Sequence, residues 1–342
     1  MGLIQRRVGV GLIGVGSIGG THAKEIKAIK EAELIAVADY DKEKVKDFAE
    51  KFGIENYYTD YKELLRRSDI EIVNICTPSS THSNIAIDAA NHKKHVITEK
   101  PIDITLENAD KMIEACKKND VKLSIIFQLR FADDCIRAKN MIDEGRLGKI
   151  ILADLYMKFY RPLDYYKKSN WKGTKKGDGG GALMNQGIHG IDLLQWLIGS
   201  VKSIQGLTGA LRHDIEVEDT AVALLEFKNG AFGVIEGTTS VYPDLSQKIE
   251  IHGTNGTLIL KGGEWPTIEF CEFLDKKEVC ELKKYPSEDE MWGVAHRSQI
   301  MDMISAVREN REPIINGLEG RKSLEIVLGI YKSSERGRMV EL

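Results

Sequence analysis

Cysteine is scarce, and what there is suits neither of its framework roles. The 342-residue chain carries five: Cys76, Cys116, Cys135, Cys271 and Cys280. Their number is odd, no C-x-x-C pair occurs, and no Cys/His cluster has zinc spacing. A disulfide scaffold and a zinc-dependent alcohol dehydrogenase are both disfavoured, and free thiols in a reducing cytosol are expected. Long apolar runs are lacking as well. No stretch reaches the roughly 18 apolar residues of a membrane span. Arg6-Arg7 ahead of Val8 to Val15 resembles a twin-arginine or secretory leader. Glycines interrupt that run, however, no A-x-A site follows, and a polar helix comes next, so a cytoplasmic location is expected. Nor is there an excess of one charge. The formal net charge is -4 with both signs interspersed, which argues against nucleic acid or an anionic membrane as the main partner.

What remains is an ordinary globular composition, 42% hydrophobic and 29% charged. The length favours two domains, and no repeat, low-complexity tract or long Pro/Ser linker interrupts the chain. The first third alternates apolar strands with amphipathic helices. Strands are expected at Val8–Ile13, Glu33–Ala38, Glu71–Cys76, His95–Thr98 and Lys122–Phe127. Helices are expected at Ile18–Lys30, Lys42–Lys51, Tyr61–Arg67, Ser83–Asn91 and Leu106–Lys118. This alternation indicates an α/β Rossmann domain, a doubly wound parallel sheet, over residues 1–125.

After about Lys149 the pattern becomes β-rich. Strands are expected at Lys149–Phe159, Val201–Leu211, Thr220–Phe227, Phe232–Thr239, Gln247–His252 and Thr257–Leu260. Asn229-Gly230 and Asn255-Gly256 read as hairpin turns. Helices follow at Val294–Glu309 and Leu318–Ser333. Residues 126–342 therefore form an α+β domain with a large, mainly antiparallel sheet.

Gly14-Val15-Gly16-Ser17-Ile18-Gly19 is a G-x-G-x-x-G between a strand and a helix, and Asp39 lies twenty residues beyond Gly19 at the end of the next strand. That context is what a dinucleotide fingerprint requires. Gly14 allows the tight turn, Gly16 the approach of the pyrophosphate, and Gly19 the packing of helix on sheet. Ser17 and Ile18 open the helix whose free N–H groups suit phosphate. A carboxylate at Asp39 accepts from ribose hydroxyls and repels a 2′-phosphate, so NAD is favoured over NADP.

Two further segments end parallel strands at the ligand-binding edge of such a sheet. They are Thr77-Pro78-Ser79-Ser80-Thr81-His82 and Glu99-Lys100-Pro101. Thr77, Pro78, His82, Glu99 and Lys100 are candidate cofactor contacts. So is Gln128, which follows the last strand with Arg130 and Phe131. Gly177-Asp178-Gly179-Gly180-Gly181 then leads into a helix on which Asn185 and His189 share a face. Asp192 is placed to orient His189 or to cap another group. A lone histidine or a charged loop is often merely structural, so each segment alone leaves both readings open. Arg161, Tyr165, Tyr166, Trp171 and Lys172 supply cations and aromatic faces suited to a sugar, a lid or a subunit contact.

Taken together, these motifs resemble the glucose–fructose oxidoreductase/inositol dehydrogenase (Gfo/Idh/MocA) family over nearly the whole chain. The resemblance implies a Rossmann domain followed by a sheet domain, assembled as dimers or tetramers through that sheet. It implies Lys100 and His189 as active-site residues. Many inositol dehydrogenases have aspartate where this chain has Asn185. The Asn-Gln-Gly-Ile-His wording looks more like members acting on sugar nucleotides, such as UDP-N-acetylglucosaminuronate 3-dehydrogenases. The expected mechanism has His189 accept a hydroxyl proton while hydride leaves to NAD. Lys100 stabilises the oxygen, and Asn185, Arg130 and Trp171 position the substrate. An inositol dehydrogenase, an NAD-dependent glycosidase and a non-catalytic NAD-binding regulator are the alternatives within the same fold.

Overall fold

A computed structural model describes residues 6–263, 265–275, 280–286 and 288–342. Its chain begins with alternating strands and helices. These are β1 (Val8–Ile13), α1 (Ser17–Ala28), β2 (Ala32–Ala38), α2 (Lys42–Phe52), β3 (Asn56–Tyr58), α3 (Tyr61–Leu65) and β4 (Ile72–Ile75). They continue as α4 (His82–Asn91), β5 (His95–Thr98), α5 (Leu106–Lys118) and β6 (Leu123–Ile125). The helix starts obey local chemistry. Asp41, Asp60 and Thr105 cap α2, α3 and α5 by accepting the N–H of Lys44, Lys62 and Asn108. All six strands pair in parallel in the order β3-β2-β1-β4-β5-β6. The strand order reverses between β1 and β4, and ligands of such sheets bind beyond the carboxyl ends of those strands.

The second run of elements is α6 (Asp133–Asp143), β7 (Ile150–Lys158), α7 (Ile188–Ile198), β8 (Val201–Gly209), β9 (Thr220–Phe227) and β10 (Phe232–Thr238). It continues through β11 (Gln247–Gly253), β12 (Gly256–Lys261), β13 (Thr267–Phe273), α8 (Glu288–Glu309), α9 (Gly317–Arg336) and β14 (Val340–Glu341). The eight strands form one sheet, β13-β12-β11-β7-β10-β9-β8-β14, antiparallel except for the parallel pair β7 and β10. Both Asn-Gly hairpins form: Asn229 accepts the Ala231 N–H, and β11 and β12 pair across Asn255-Gly256. Ala153, Leu155 and Met157 of β7 are buried on the face that meets α7, whereas Leu207, Val222, Leu224 and Phe232 are exposed on the opposite face. Among the described residues, no helix is long and apolar enough to cross a membrane.

The chain divides into two compact units, and the division is not where the sequence suggested. The first unit runs through Ile126 and also includes Gly293–Arg321; the second is Phe127–Trp292 with Lys322–Leu342. The expected cut at residue 125 assigned Gly293–Arg321 to the second domain. The reason for the difference is the stripe Ile300, Met303, Ile304 and Val307 on α8, spaced as one helical face. It packs on Val8, Val10, Ile26, Ile29, Ile72 and Ile97. Gln299 adds hydrogen bonds to Ser124 Oγ and the Ile125 carbonyl. Four short elements also escaped the sequence reading: β3, α6, β13 and β14. In α6 the buried stripe is only Asp134, Cys135, Ala138 and Met141, too thin to stand out beside its charges.

Met303 is fully buried, so Met303→Ala should cost about 2–5 kcal/mol. Chemical denaturation followed by circular dichroism measures that loss; a change below about 1 kcal/mol, the size of a surface effect, would show that α8 is not part of the first core.

Candidate active site

The glycine loop is built by exclusion. Gly14 has φ +96°, and a Cβ there would lie 2.5 Å from the Cys76 carbonyl oxygen, so β1 and β4 hand over to their loops in contact. A Cβ on Gly19 would meet the Gly14 carbonyl oxygen at 2.2 Å, whereas one on Gly16 would have no heavy atom within 4 Å. Open space at Gly16 and a start to α1 without a side-chain cap leave backbone N–H groups facing a place where phosphate fits. Asp39 is held for its role. Its Oδ2 accepts the Val15 N–H at 3.0 Å and its Oδ1 the Asp41 N–H at 3.1 Å. The residues present fit a dinucleotide.

The loops after β4 and β5 are tied together by His82. This histidine is 1% exposed, with Nδ1 2.8 Å from the Pro101 oxygen and Nε2 2.9 Å from the Thr77 oxygen. Burial pushes its pKa down, against the pull of those two carbonyls. Expected as a cofactor contact, His82 is instead buried between the two loops, its single N–H donating to one of those two carbonyls. Thr77 and Pro78 stay half-buried on the loop, with Thr77 Oγ1 sharing a hydrogen bond with Thr81 Oγ1. Glu99 is buried and receives His22 Nε2 at 2.9 Å, while Lys100 is half-buried beside it. The Lys100–Pro101 peptide bond is cis.

In the second unit, His189 sits near the start of α7, its ring edge-on to Phe127 with centroids 5.9 Å apart. The helix predicted from Ala182 opens as a π-helical turn, Ala182–Gly187, a form that recurs at functional sites. Glu218 causes it. Its carboxylate accepts the N–H groups of Gly181 and Leu183, and its own carbonyl accepts that of Ala182. Gly181 must be glycine, because a Cβ would lie 1.8 Å from the Glu218 carbonyl oxygen. Burial pushes the Glu218 carboxyl up, offset in part by those donors and the Tyr331 hydroxyl. Asn185 is aimed by Asp178, which accepts its Nδ2 at 2.8 Å and the Gly173 N–H at 3.0 Å. The sequence flagged the glycine run but not Asp178, Glu218 or Tyr331. Glu218 and Tyr331 lie 35 or more residues away from the helix they organise, and local spacing carries no trace of that.

Arg130 needs correction. Arg130 Nε and Nη2 donate to the two Asp192 oxygens at 2.7 and 2.6 Å, both side chains being almost fully buried. Arg130 therefore braces α7 instead of reaching a substrate, and Asp192 holds Arg130, in line with the expectation that it could cap another group. Gln128 is buried, and its Oε1 has no hydrogen-bond partner among the described residues, which keeps it a candidate contact. Ahead of the glycine run, Lys172 Nζ lies 4.4 Å from the centre of the Tyr165 ring and donates to its hydroxyl. Gln186 Nε2 donates to the same oxygen at 3.0 Å. This aromatic-cationic stretch, with Trp171 half-buried in it, adjoins the helix that carries Asn185 and His189.

Comparison with known proteins finds two family models that together span nearly the whole chain. The model of the Oxidoreductase family, NAD-binding Rossmann fold, matches residues 8–127, and that of the Oxidoreductase family, C-terminal alpha/beta domain, matches residues 139–342. The WlbA dehydrogenase of Bordetella pertussis, solved with NADH and UDP-GlcNAcA, superposes with TM-score 0.89 at 31% identity, covering 98% of this chain and 99% of that one. The WlbA dehydrogenase of Chromobacterium violaceum, solved with the same two ligands, gives TM-score 0.88 at 32% identity over 99% and 97%. Myo-inositol 2-dehydrogenase of Thermotoga maritima is 29% identical over 97% of this chain and 98% of its own length.

Two outcomes are expected from this geometry. Asp39→Asn should weaken NAD binding by about 1.5–3 kcal/mol, the worth of hydrogen bonds to a charged group, and narrow the preference over NADP; calorimetric titration with both nucleotides reads this directly. Arg130→Met should cost about 3–5 kcal/mol, because buried Asp192 loses its ionic partner. The double variant Arg130→Met/Asp192→Leu should recover most of that in thermal melts, and equal losses in the two would refute the bracing role.

Proposed function

The chain belongs to the glucose–fructose oxidoreductase/inositol dehydrogenase (Gfo/Idh/MocA) family of oxidoreductases, and we propose that it oxidises a secondary alcohol carbon of a sugar nucleotide, with NAD as its cofactor. The observation that carries this reading is the Asn185–Asp178 pair one turn before His189. It sets a neutral amide, not a second carboxylate, beside the imidazole. An amide orients a hydroxyl and leaves proton transfer to His189 alone. The two WlbA relatives, each solved with UDP-GlcNAcA, support a substrate of the same class.

NAD, when bound, supplies the hydride acceptor, so a secondary alcohol and oxidised NAD give a ketone, NADH and a proton. Lys100 donates a hydrogen bond to the substrate oxygen and stabilises the negative charge that grows on it. His189 takes the hydroxyl proton. Asn185 orients a hydroxyl of the sugar. Gln128 contacts cofactor or substrate, while Trp171, Tyr165 and Lys172 give an aromatic and cationic wall suited to a sugar nucleotide. The exposed apolar row Leu207, Val222, Leu224 and Phe232 suits pairing with a second copy of the sheet, as a cytoplasmic homodimer or homotetramer.

A second reading, inositol dehydrogenase, draws on the Thermotoga maritima relative. Reduced-nicotinamide absorbance with NAD and a panel of UDP-sugars, aldoses and inositols separates them. Turnover is expected with a UDP-sugar uronate and not with inositols. Lys100→Ala should then lower kcat about 100- to 1000-fold, as expected for a removed oxyanion donor. Near-normal rates would remove Lys100 from the mechanism; cleavage of a glycosidic bond without net NADH would point to glycosidase chemistry instead.

A further inference from the structure

Glu99 uses its two oxygens for two different tasks. Oε1 receives His22 Nε2 at 2.9 Å, and Oε2 receives the backbone N–H of Lys100 at 3.2 Å. One planar group thus links α1, just past the glycine loop, to the residue that carries the ammonium. A second histidine completes the cluster. His296 of α8 meets His22 edge-on with ring centroids 5.5 Å apart, and ligand atoms of His22, Glu99 and His296 lie within 4.8 Å of one another, all three residues buried. We propose that His22 is a positioning residue that keeps Glu99 ionised and oriented and, through Glu99, fixes the place and charge environment of Lys100.

The electrostatics follow from what surrounds the ring. Burial lowers the pKa of His22, and the Cys76 sulfur, when ionised, and the Glu99 carboxylate raise it. Burial raises the Cys76 thiol in turn, so at neutral pH the counter-charge is Glu99. Burial would raise Glu99 too, yet His22, then His296 and Lys100, hold it below the usual carboxylate range. The groups facing the ring are therefore Cys76 just past β4, Glu99 beyond β5, and His296 from α8. Glu25, one turn along α1, is occupied by Arg297. Without the His22 charge, Lys100 becomes a main counter-ion of a buried carboxylate and is drawn toward it. A histidine that merely filled space would exert no such pull.

The inference rests on the reading of Lys100 as the ammonium that meets substrate, and its test is read at Lys100 itself. Lysines of the intact chain are reductively methylated with carbon-13, the Lys100 signal is identified by its loss in Lys100→Arg, and its shift is followed against pH. His22→Gln keeps a side-chain donor but removes the charge. It should move the Lys100 titration to higher pH and lower kcat about 10- to 100-fold, the effect of misplacing a reacting group, with NAD affinity within about threefold. Because a bare Glu99 can unfold the chain, His22→Gln/Glu99→Gln is measured alongside. This neutral pair should stay folded and move the Lys100 titration the opposite way, to lower pH. Unchanged Lys100 titration and kcat in folded variants overturn the proposal. Should no compound turn over, the proposed function fails on its own, and the direction of the Lys100 titration still decides the role of His22.

Discussion

The first unit depends on a place where there is no room. The chain leaving β1 at Gly14 touches the chain leaving β4 at Cys76, and the helix that follows touches Gly14 at Gly19. Both approaches are closer than any side chain permits. This forces α1 to begin directly over the point where the strand order reverses, with its unpaired N–H groups facing outward. Every later feature of that edge is referred to this contact. Asp39 holds the Val15 N–H of the same loop, and His22 on α1 reaches Glu99 past the end of β5.

The second unit solves a related problem with a carboxylate instead of a missing side chain. Glu218, just before β9, accepts the free N–H groups that open the segment before Asn185. That segment is a wider turn that hands over to α7 at Ile188. Below it, the buried Arg130–Asp192 pair anchors α7 from the side. Buried ion pairs contribute little net stability, but they fix geometry. Here the geometry fixed is that of the segment carrying His189.

The architecture was legible because it depends on periodicity and glycine. The parallel sheet, the hairpins at Asn229-Gly230 and Asn255-Gly256, and the loop from Gly14 to Gly19 each follow from local patterns that leave few alternatives. Roles that depend on distant partners were not legible. His82 looked like a cofactor contact because it ends a motif at the right sheet edge, yet both of its nitrogens face backbone carbonyls. Arg130 looked available because nothing in its neighbourhood announces an aspartate 62 residues away. His22 sat inside a recognised helix and drew no notice, since its partner Glu99 lies 77 residues on. Sequence spacing shows which element a residue occupies, not what its side chain meets.

The membership of α8 in the first core sets an order of events during synthesis. A ribosome delivers the Rossmann strands early, but the stripe from Ile300 to Val307 emerges only after the whole eight-stranded sheet except β14 has been translated. Until then Val8, Ile26 and Ile72 lack part of their cover, so the nascent amino-terminal half stays short of its native free-energy minimum. Domains ordinarily complete themselves in the order they leave the ribosome. In this chain the nucleotide-binding half is sealed nearly last, which exposes its apolar sheet face to chaperones for most of elongation.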